Sequence, residues 1–348
     1  MRHRVIEEDL ARIASADLPW SIFEGKTVLI SGANGFLPAY IVETLLYLNE
    51  INGQGTKVVG LVRNRRKALS RFSAYQGRDD LEFIVQDVCE PIVVTQKVHF
   101  VIHAASQSSP KYFGKDPVGT MSANLLGTHN LLTIAKENNS EGFLFFSTGE
   151  VYGEVDKANI PTKETEYGYL DPATVRSCYA ESKRAAETMC IAWFHQFGVP
   201  AKIVRPFHTY GPGMNLDDGR VFSDFVADIV ANNNIVMRSD GSAKRAFCYL
   251  ADATLGFLTV LINGENGQAY NVGNENGEVT VLDLAERLAT LFPNKCLHVV
   301  KHQPIHREGY LKSAITRNCP DTSKIRALGW NPITPVESGF RRTIESFL

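Results

Sequence analysis

A series of short apolar runs, each closed by glycine or polar residues and separated by helix-length stretches, constrains this chain more than anything else in it. The runs are KTVLIS (26–31), KVVGLV (57–62), LEFIVQDV (81–88), HFVIHAAS (99–106), GFLFFSTGEVYG (142–153) and AKIVRPF (201–207). Unbroken apolar runs of about four to eight residues read as strands buried on both faces. Pro38 to Asn49 and Asn124 to Lys136 read as helices between them. Strand alternating with helix predicts a parallel sheet covered on both sides, and right-handed crossovers make it doubly wound. The expected fold class is α/β, a Rossmann-like doubly wound parallel sheet with a smaller C-terminal α/β part that binds substrate.

Beyond Pro206 the texture changes. The turn-rich YGPGMNLDDGR (210–220) precedes a helix from about Val221 to Asn232. IVMRSDGSAKRAFCYL (235–250) reads as strand, Asp-Gly turn, strand, and QAYNVGN (268–274) as a further strand. VTVLDLAERLATLF (279–292) has the spacing of an amphipathic helix, and Lys324 to Trp330 reads as a helix ending near Gly329. Ahead of the first strand, Val5, Leu10 and Ile13 predict a short helix packed on the body or on a second subunit.

Composition excludes several classes. The 348 residues suffice for one large or two moderate domains, and the net charge of −2 offers no basic surface for nucleic acid. Six cysteines (Cys89, Cys178, Cys190, Cys248, Cys296, Cys319) lie scattered without CxxC, which reads as reduced thiols in a cytoplasmic protein. His302 and His306 stand one helical turn apart, but without HExxH or clustered cysteines no metal is expected. Glu7, Glu8, Asp9 and Asp17 break any signal-peptide core, and no stretch approaches the ~20 apolar residues of a membrane helix.

The first strand runs through Ser31-Gly32-Ala33-Asn34-Gly35-Phe36-Leu37 into a helix. Glycines let the backbone approach a pyrophosphate, and the helix N-terminus offers N–H donors and positive potential. Gly32, Asn34, Gly35, Phe36 and Leu37 are therefore candidate contacts to a dinucleotide. Pro38 takes the place of a third glycine and removes one donor. The second strand ends in Val62-Arg63-Asn64-Arg65-Arg66, with no acid to grip an adenosine ribose. Arg63 can instead hold a 2′-phosphate, which would mean NADP, or belong to a solvated basic turn. Asp87 can accept a bond from adenine or stand as an exposed carboxylate. Ala104, Ala105, Asn124 and Pro206 complete the expected cofactor contacts.

Tyr179 and Lys183, in SCYAESKRAAETM, share one helix face. A free phenol has a pKa of about 10, and an ammonium beside it favours phenolate. Tyr179 is thus expected to take a proton from a sugar alcohol near neutral pH while hydride passes to a nicotinamide. Thr148 can hydrogen-bond the same hydroxyl. Glu150 can act as a base on carbon made acidic by a neighbouring ketone, or pair with a surface cation. Arg245 and Arg317 are candidates for a diphosphate, since guanidinium forks match phosphate oxygens. Three parts follow: a helical extension at 1–25, a dinucleotide-binding domain at 26–205 plus about 245–265, and a substrate domain at 206–244 and 266–348.

These residues together resemble the extended short-chain dehydrogenase/reductase superfamily, in its nucleotide-sugar epimerase/dehydratase branch, over about Lys26 to Pro332. Within it the chain is most similar to UDP-glucuronate decarboxylases (UDP-xylose synthases). The likeness lies in Arg176-Ser177-Cys178-Tyr179, in Tyr210-Gly211-Pro212-Gly213-Met214-Asn215 with Asp218-Gly219-Arg220-Val221, and in Arg245-Ala246-Phe247-Cys248-Tyr249. The resemblance implies an NAD-dependent lyase or epimerase (NADP being the alternative) that oxidises a nucleotide sugar at C4 during polysaccharide biosynthesis. It implies catalytic roles for Thr148, Glu150, Tyr179 and Lys183, and substrate contacts from Ser109, Tyr112, His208, Arg220, Arg245 and Arg317. It also implies a homodimer built on the helices that carry Asn124 and Tyr179. Gly149 stands where the decarboxylases have Ser and dTDP-glucose dehydratases have Asp, His208 replaces an Asn, and Gly213 replaces an Arg. The 4,6-dehydratase and 4-epimerase readings stay open, with a non-enzymatic cofactor-binding protein as the remote alternative.

Overall fold

The computed structural model describes residues 2–301 and 315–348, so His302 and His306 lie outside the described residues. The first half comprises α1 (Arg4–Ala14), β1 (Thr27–Ser31), α2 (Phe36–Asn52), β2 (Lys57–Val62), α3 (Arg65–Arg71), β3 (Leu81–Val85), β4 (Phe100–His103), α4 (Pro110–Phe113), α5 (Pro117–Glu137), β5 (Gly142–Phe146), α6 (Cys178–Phe197) and β6 (Ala201–Pro206). There follow β7 (Thr209–Tyr210), α7 (Val221–Val230), β8 (Ile235–Met237), β9 (Lys244–Ala246), β10 (Cys248–Tyr249), α8 (Leu250–Asn263) and β11 (Ala269–Val272). The chain closes with β12 (Glu278–Thr280), α9 (Val281–Thr290), β13 (Val299–Lys301), β14 (Arg317–Asn318), α10 (Ser323–Arg326) and α11 (Val336–Glu345).

Seven strands form one parallel sheet in the order β11-β6-β5-β4-β1-β2-β3. Strand order reverses between β1 and β4, and the crevice there opens at the carboxyl edge. Alternation within each strand explains the layering. In GFLFF, Phe143 and Phe145 join Leu131, Leu132, Ala186 and Cys190 of α5 and α6 in one core. Leu144 and Phe146 join α2 and α8 in the core of the other face. Both faces of the sheet are therefore apolar, as the continuous runs require.

The strands expected in 235–250 form on either side of the Asp240-Gly241 turn but pair elsewhere: β8 pairs in parallel with β13, while β9 lies between β12 and β14. A Cβ on Gly241 would fall 2.5 Å from Met237 Cε and 2.7 Å from Leu282 Cβ, so this turn is a tight packing point under α9. Ala269–Val272, within the strand expected at 268–274, bonds to β6 as the edge strand of the main sheet. Lys324 to Trp330 shrinks to the single turn of α10, and α11, which the sequence reading missed, buries Val336, Phe340 and Ile344.

The helix expected at the N-terminus packs on its own body, against α2 and α8. Asp9, 1% exposed, accepts from Tyr40 Oη at 3.1 Å, Tyr249 Oη at 2.6 Å and Arg342 Nη2 at 2.8 Å. Burial pushes its carboxyl pKa up, against the pull of those partners.

Candidate active site

The carboxyl ends of β1, β4, β5 and β6 bring the sequence-predicted residues to one edge. Gly32 adopts φ +65°, and a Cβ there would lie 2.9 Å from Ala105 Cα. Only glycine meets both demands. Ser31 Oγ accepts from the amides of Ala104 and Ala105 at 3.1 Å each and pairs with His103 Nδ1 at 2.8 Å, tying the turn to β4. Gly35 heads α2 with no side-chain cap, so the amides of Phe36 and Leu37 keep their donors while Pro38 has none. Asn34 lies half-buried in the same turn. An anion such as a pyrophosphate fits this cradle through two amides rather than three.

At the ribose end, Arg63 is exposed and stands 4.0 Å from Asp87, whose carboxylate accepts from Cys89 N at 3.0 Å. That backbone bond, more than Arg63, holds the Asp87 carboxyl below the usual range. Pro206 ends β6 opposite Val272.

Tyr179 and Lys183 sit on the first turns of α6, 6% and 2% exposed. Lys183 Nζ donates to Phe146 O at 2.6 Å, at the tip of β5, and lies 6.0 Å from the Tyr179 ring centroid. Burial pushes the phenol up to about 12; Glu150 adds to the rise, and a hydrogen bond with the Thr148 side chain, Arg220 and Arg176 oppose it. Burial also lowers Lys183 to about 7. The Lys183 side chain expected beside the Tyr179 hydroxyl stands one helical turn away with its Nζ on the Phe146 carbonyl, and burial of the phenol works against the acidification expected from it. Asn124, fully buried on α5, donates to Ser182 Oγ at 2.9 Å and so braces the helix between the two residues.

Thr148 opens a short 3-10 turn (Gly149–Tyr152) and accepts from Glu150 N at 3.2 Å. Glu150 receives Arg176 Nη2 at 2.8 Å. The Arg176 guanidinium lies 4.8 Å from the Phe113 ring centroid, and Phe113 stacks on Tyr179 at 4.9 Å with 16° between planes. Arg176 and Phe113 were not among the sequence candidates. Arg176 had one legible signal, its place three residues before Tyr179.

Ser109 donates to Asp218 O, Lys111 to Asp217 O, and Arg220 to Asp218 Oδ2 at 2.6 Å and Ser108 O at 2.9 Å. These bonds strap the loop before α4 to the loop before α7; Tyr112 stands exposed beside them. His208 is held neutral by burial, with Arg245 and Arg220 both lowering its pKa, which brings these three together. Arg245 donates to the carbonyls of Ile315 and Thr316 at 2.8 and 3.1 Å. Arg317 lies on β14, beside the β9 strand that carries Arg245, and both Glu278 oxygens take its Nε and Nη2, at 2.7 and 2.9 Å.

Ser106 Oγ, Asn124 Oδ1, Ser147 Oγ, Arg176 Nε and His208 Nε2 are buried without a partner among the described residues. Buried polar groups are nearly always satisfied. Their grouping along this edge fits a polar, oxygen-rich ligand. Among the described residues no cluster of His, Cys, Asp or Glu suits a metal ion, and no helix is long and apolar enough to cross a membrane.

Comparison with known proteins agrees with this geometry. The profile of the NAD dependent epimerase/dehydratase family matches residues 28–273. UDP-glucuronic acid decarboxylase 3 of Arabidopsis thaliana is 34% identical over 324 residues, 92% of this chain and 88% of that protein. UDP-glucuronic acid decarboxylase 1 of Danio rerio is 32% identical over 323 residues, 92% of this chain and 72% of that protein. A solved epimerase from Methanothermobacter thermautotrophicus superposes with a TM-score of 0.80 at 21% identity, over 99% of this chain and 95% of its own.

Proposed function

The chain belongs to the NAD dependent epimerase/dehydratase family, and we propose that within it the chain decarboxylates a nucleotide-linked hexuronate through transient oxidation at C4, using NAD. The carrying observation is the group gathered at the carboxyl edge of the sheet: Tyr179 buried on the first turn of α6, Lys183 one turn further on and held by Phe146 O, Thr148 and Glu150 on the short turn after β5, and Arg176 paired with Glu150 over the ring stacked on Tyr179. Cations in this number suit a substrate that bears a carboxylate as well as a diphosphate. The curated relatives named above act on UDP-glucuronic acid by name.

Held at the Gly32–Leu37 turn, an oxidised nicotinamide dinucleotide would supply the acceptor, and later the donor, of the C4 hydride. Tyr179 takes the O4 proton, and Thr148 fixes the line of that transfer. Lys183, anchored on Phe146 O, stands one turn behind the phenol as a buried amine that burial disposes to give up its proton near neutral pH. The 4-keto uronate is a β-keto acid. Its C5–C6 bond breaks, CO₂ leaves, and the electron pair enters the C4–C5 enolate. C5 then takes a proton, Glu150 being the nearest acid-base group to supply it, and Tyr179 returns the O4 proton.

A 4,6-dehydratase that donates a proton from the residue after Thr148 fits less well. Gly149 has no side chain, and a Cβ there would lie 3.0 Å from the Phe207 ring. The test is product analysis by mass spectrometry across a panel of nucleotide sugars, after identifying the cofactor that co-purifies. Loss of CO₂ from a nucleotide uronate is expected. Loss of water, an unchanged mass, or no conversion of any uronate refutes the proposal.

The outer faces of α5 and α6 expose Val118, Met121, Leu126, Ile191 and Phe197. Monomers rarely leave such apolar residues together on adjoining helices, and a second copy of this chain is the proposed partner. Sedimentation should show a dimer that charged substitutions at Leu126 and Phe197 dissociate; an unaltered monomer refutes it.

A further inference from the structure

Arg176 is a charged residue of the site that neither the glycine turn nor the Tyr179–Lys183 pair accounts for. It lies in a one-turn 3-10 helix (Val175–Ser177) that runs directly into α6. Its guanidinium makes two contacts. Nη2 donates to Glu150 Oε2 at 2.8 Å, and its plane lies over Phe113, the ring stacked on Tyr179. The ion pair is only part-buried, with side chains 21% and 28% exposed, so as a stabilising bridge it contributes little. The Nε–H is buried and has no acceptor among the described residues. A guanidinium kept for stability alone would have that donor satisfied.

Resting on the C4-oxidation reading above, we propose that Arg176 is a positioning residue for the second half of the reaction. It fixes the Glu150 carboxylate toward the sugar ring while leaving the Tyr179 proton transfer to Thr148 and Lys183. The argument is geometric. Glu150 sits on a short turn, and its carboxylate is tethered by Arg176, on the one-turn helix that runs into α6. Phe113 spaces the guanidinium from the phenol, so the two acid–base groups share a scaffold yet move separate protons. Removing the guanidinium frees Glu150 to turn away, while Tyr179 keeps its Thr148 bond and its place on α6. The same geometry gives Arg176 a use for its spare Nε–H, since an oxygen of the sugar held between Glu150 and Tyr179 lies within the reach of a planar fork.

The experiment uses the full chain with its bound cofactor and a nucleotide uronate that the wild type converts. It compares Arg176→Ala, Arg176→Lys, Glu150→Gln and Tyr179→Phe in rapid-mixing and steady-state assays. Arg176→Ala and Glu150→Gln should both still reduce the nicotinamide, the first somewhat more slowly and the second no more slowly than the wild type because of their charges near the phenol, and then accumulate the reduced form, with kcat about 10–100-fold lower and KM within about 3-fold. Tyr179→Phe should not reduce it at all. Arg176→Lys, which keeps charge without the fork, should recover only part of kcat, and added guanidinium ion should partly rescue Arg176→Ala. The inference is overturned by wild-type kcat in Arg176→Ala, or by loss of the first reduction step in Arg176→Lys while its melting temperature is unchanged. A wild type that converts no nucleotide sugar sinks the functional reading itself, a result separable from either of these.

Discussion

Lys183 provides the sharpest quantitative test of the site. Its ammonium is 2% exposed and has one polar partner, the Phe146 carbonyl. Burial lowers its pKa from the ordinary 10.5 to about 7. At ~1.4 kcal/mol per pH unit of separation, the full difference is worth at most about 5 kcal/mol. Below pH 7 both folded and unfolded chains hold this proton, and the group makes no pH-dependent contribution. Between about 7 and 10.5 the unfolded chain keeps a proton that the folded chain has released, so stability climbs with pH and levels off above that range. From pH 7 to 9 the rise is roughly 2–3 kcal/mol. Lys183→Met keeps the length and apolar stem, removes the charge and should abolish that rise. Urea unfolding of both proteins at pH 7, 8 and 9, without added cofactor, gives the difference directly, and subtraction cancels every other titrating group. Parallel curves for wild type and variant would show that Lys183 titrates alike in both states, and the picture of a desolvated ammonium behind Tyr179 would fail.

Tyr179→Phe removes the proton acceptor without changing ring packing on Phe113; turnover should fall by about 10²–10⁴-fold while cofactor affinity, read by fluorescence titration, stays within 2-fold or so. Glu187→Ala leaves Arg205, 1% exposed and bound to that carboxylate at 2.9 and 2.6 Å, as a buried charge without its anion; chemical denaturation should show a loss of about 3–5 kcal/mol. Gly32→Ala forces a side chain into positive φ and onto the Ala105 backbone, so the fold should lose at least ~1–2 kcal/mol and the cofactor should dissociate more readily in equilibrium dialysis.

The sheet was legible because its strands are buried on both faces and therefore spell continuous apolar runs, GFLFF being the clearest. The short strands of the C-terminal part were not. β7, β10 and β14 hold two residues each, too few for any period to show, and their partners are distant in sequence. α11 carried a readable pattern in Val336, Phe340 and Ile344 that was passed over beside the turn-rich Asn331-Pro332. At the site, Tyr179, Lys183, Thr148 and Glu150 could be found because local spacing and strand ends place them. Arg176 and Phe113 could not, because their meaning comes from tertiary approach: a loop after β4 folding back to lay one ring on another. The Glu278 partner of Arg317 was hidden for the same reason, since the two meet only through tertiary approach.

The clasp at Asp9 has a consequence for synthesis. Its guanidinium partner, Arg342, lies 333 positions further along the chain. While a ribosome is still making this protein, the opening helix can dock on its neighbours, but its submerged carboxylate has only hydroxyl company until the closing helix emerges. Emergence of α11 and locking of α1 are thus one event, and a product cut short before that arginine should be recognisable to quality control by a loose first helix as well as by what it lacks.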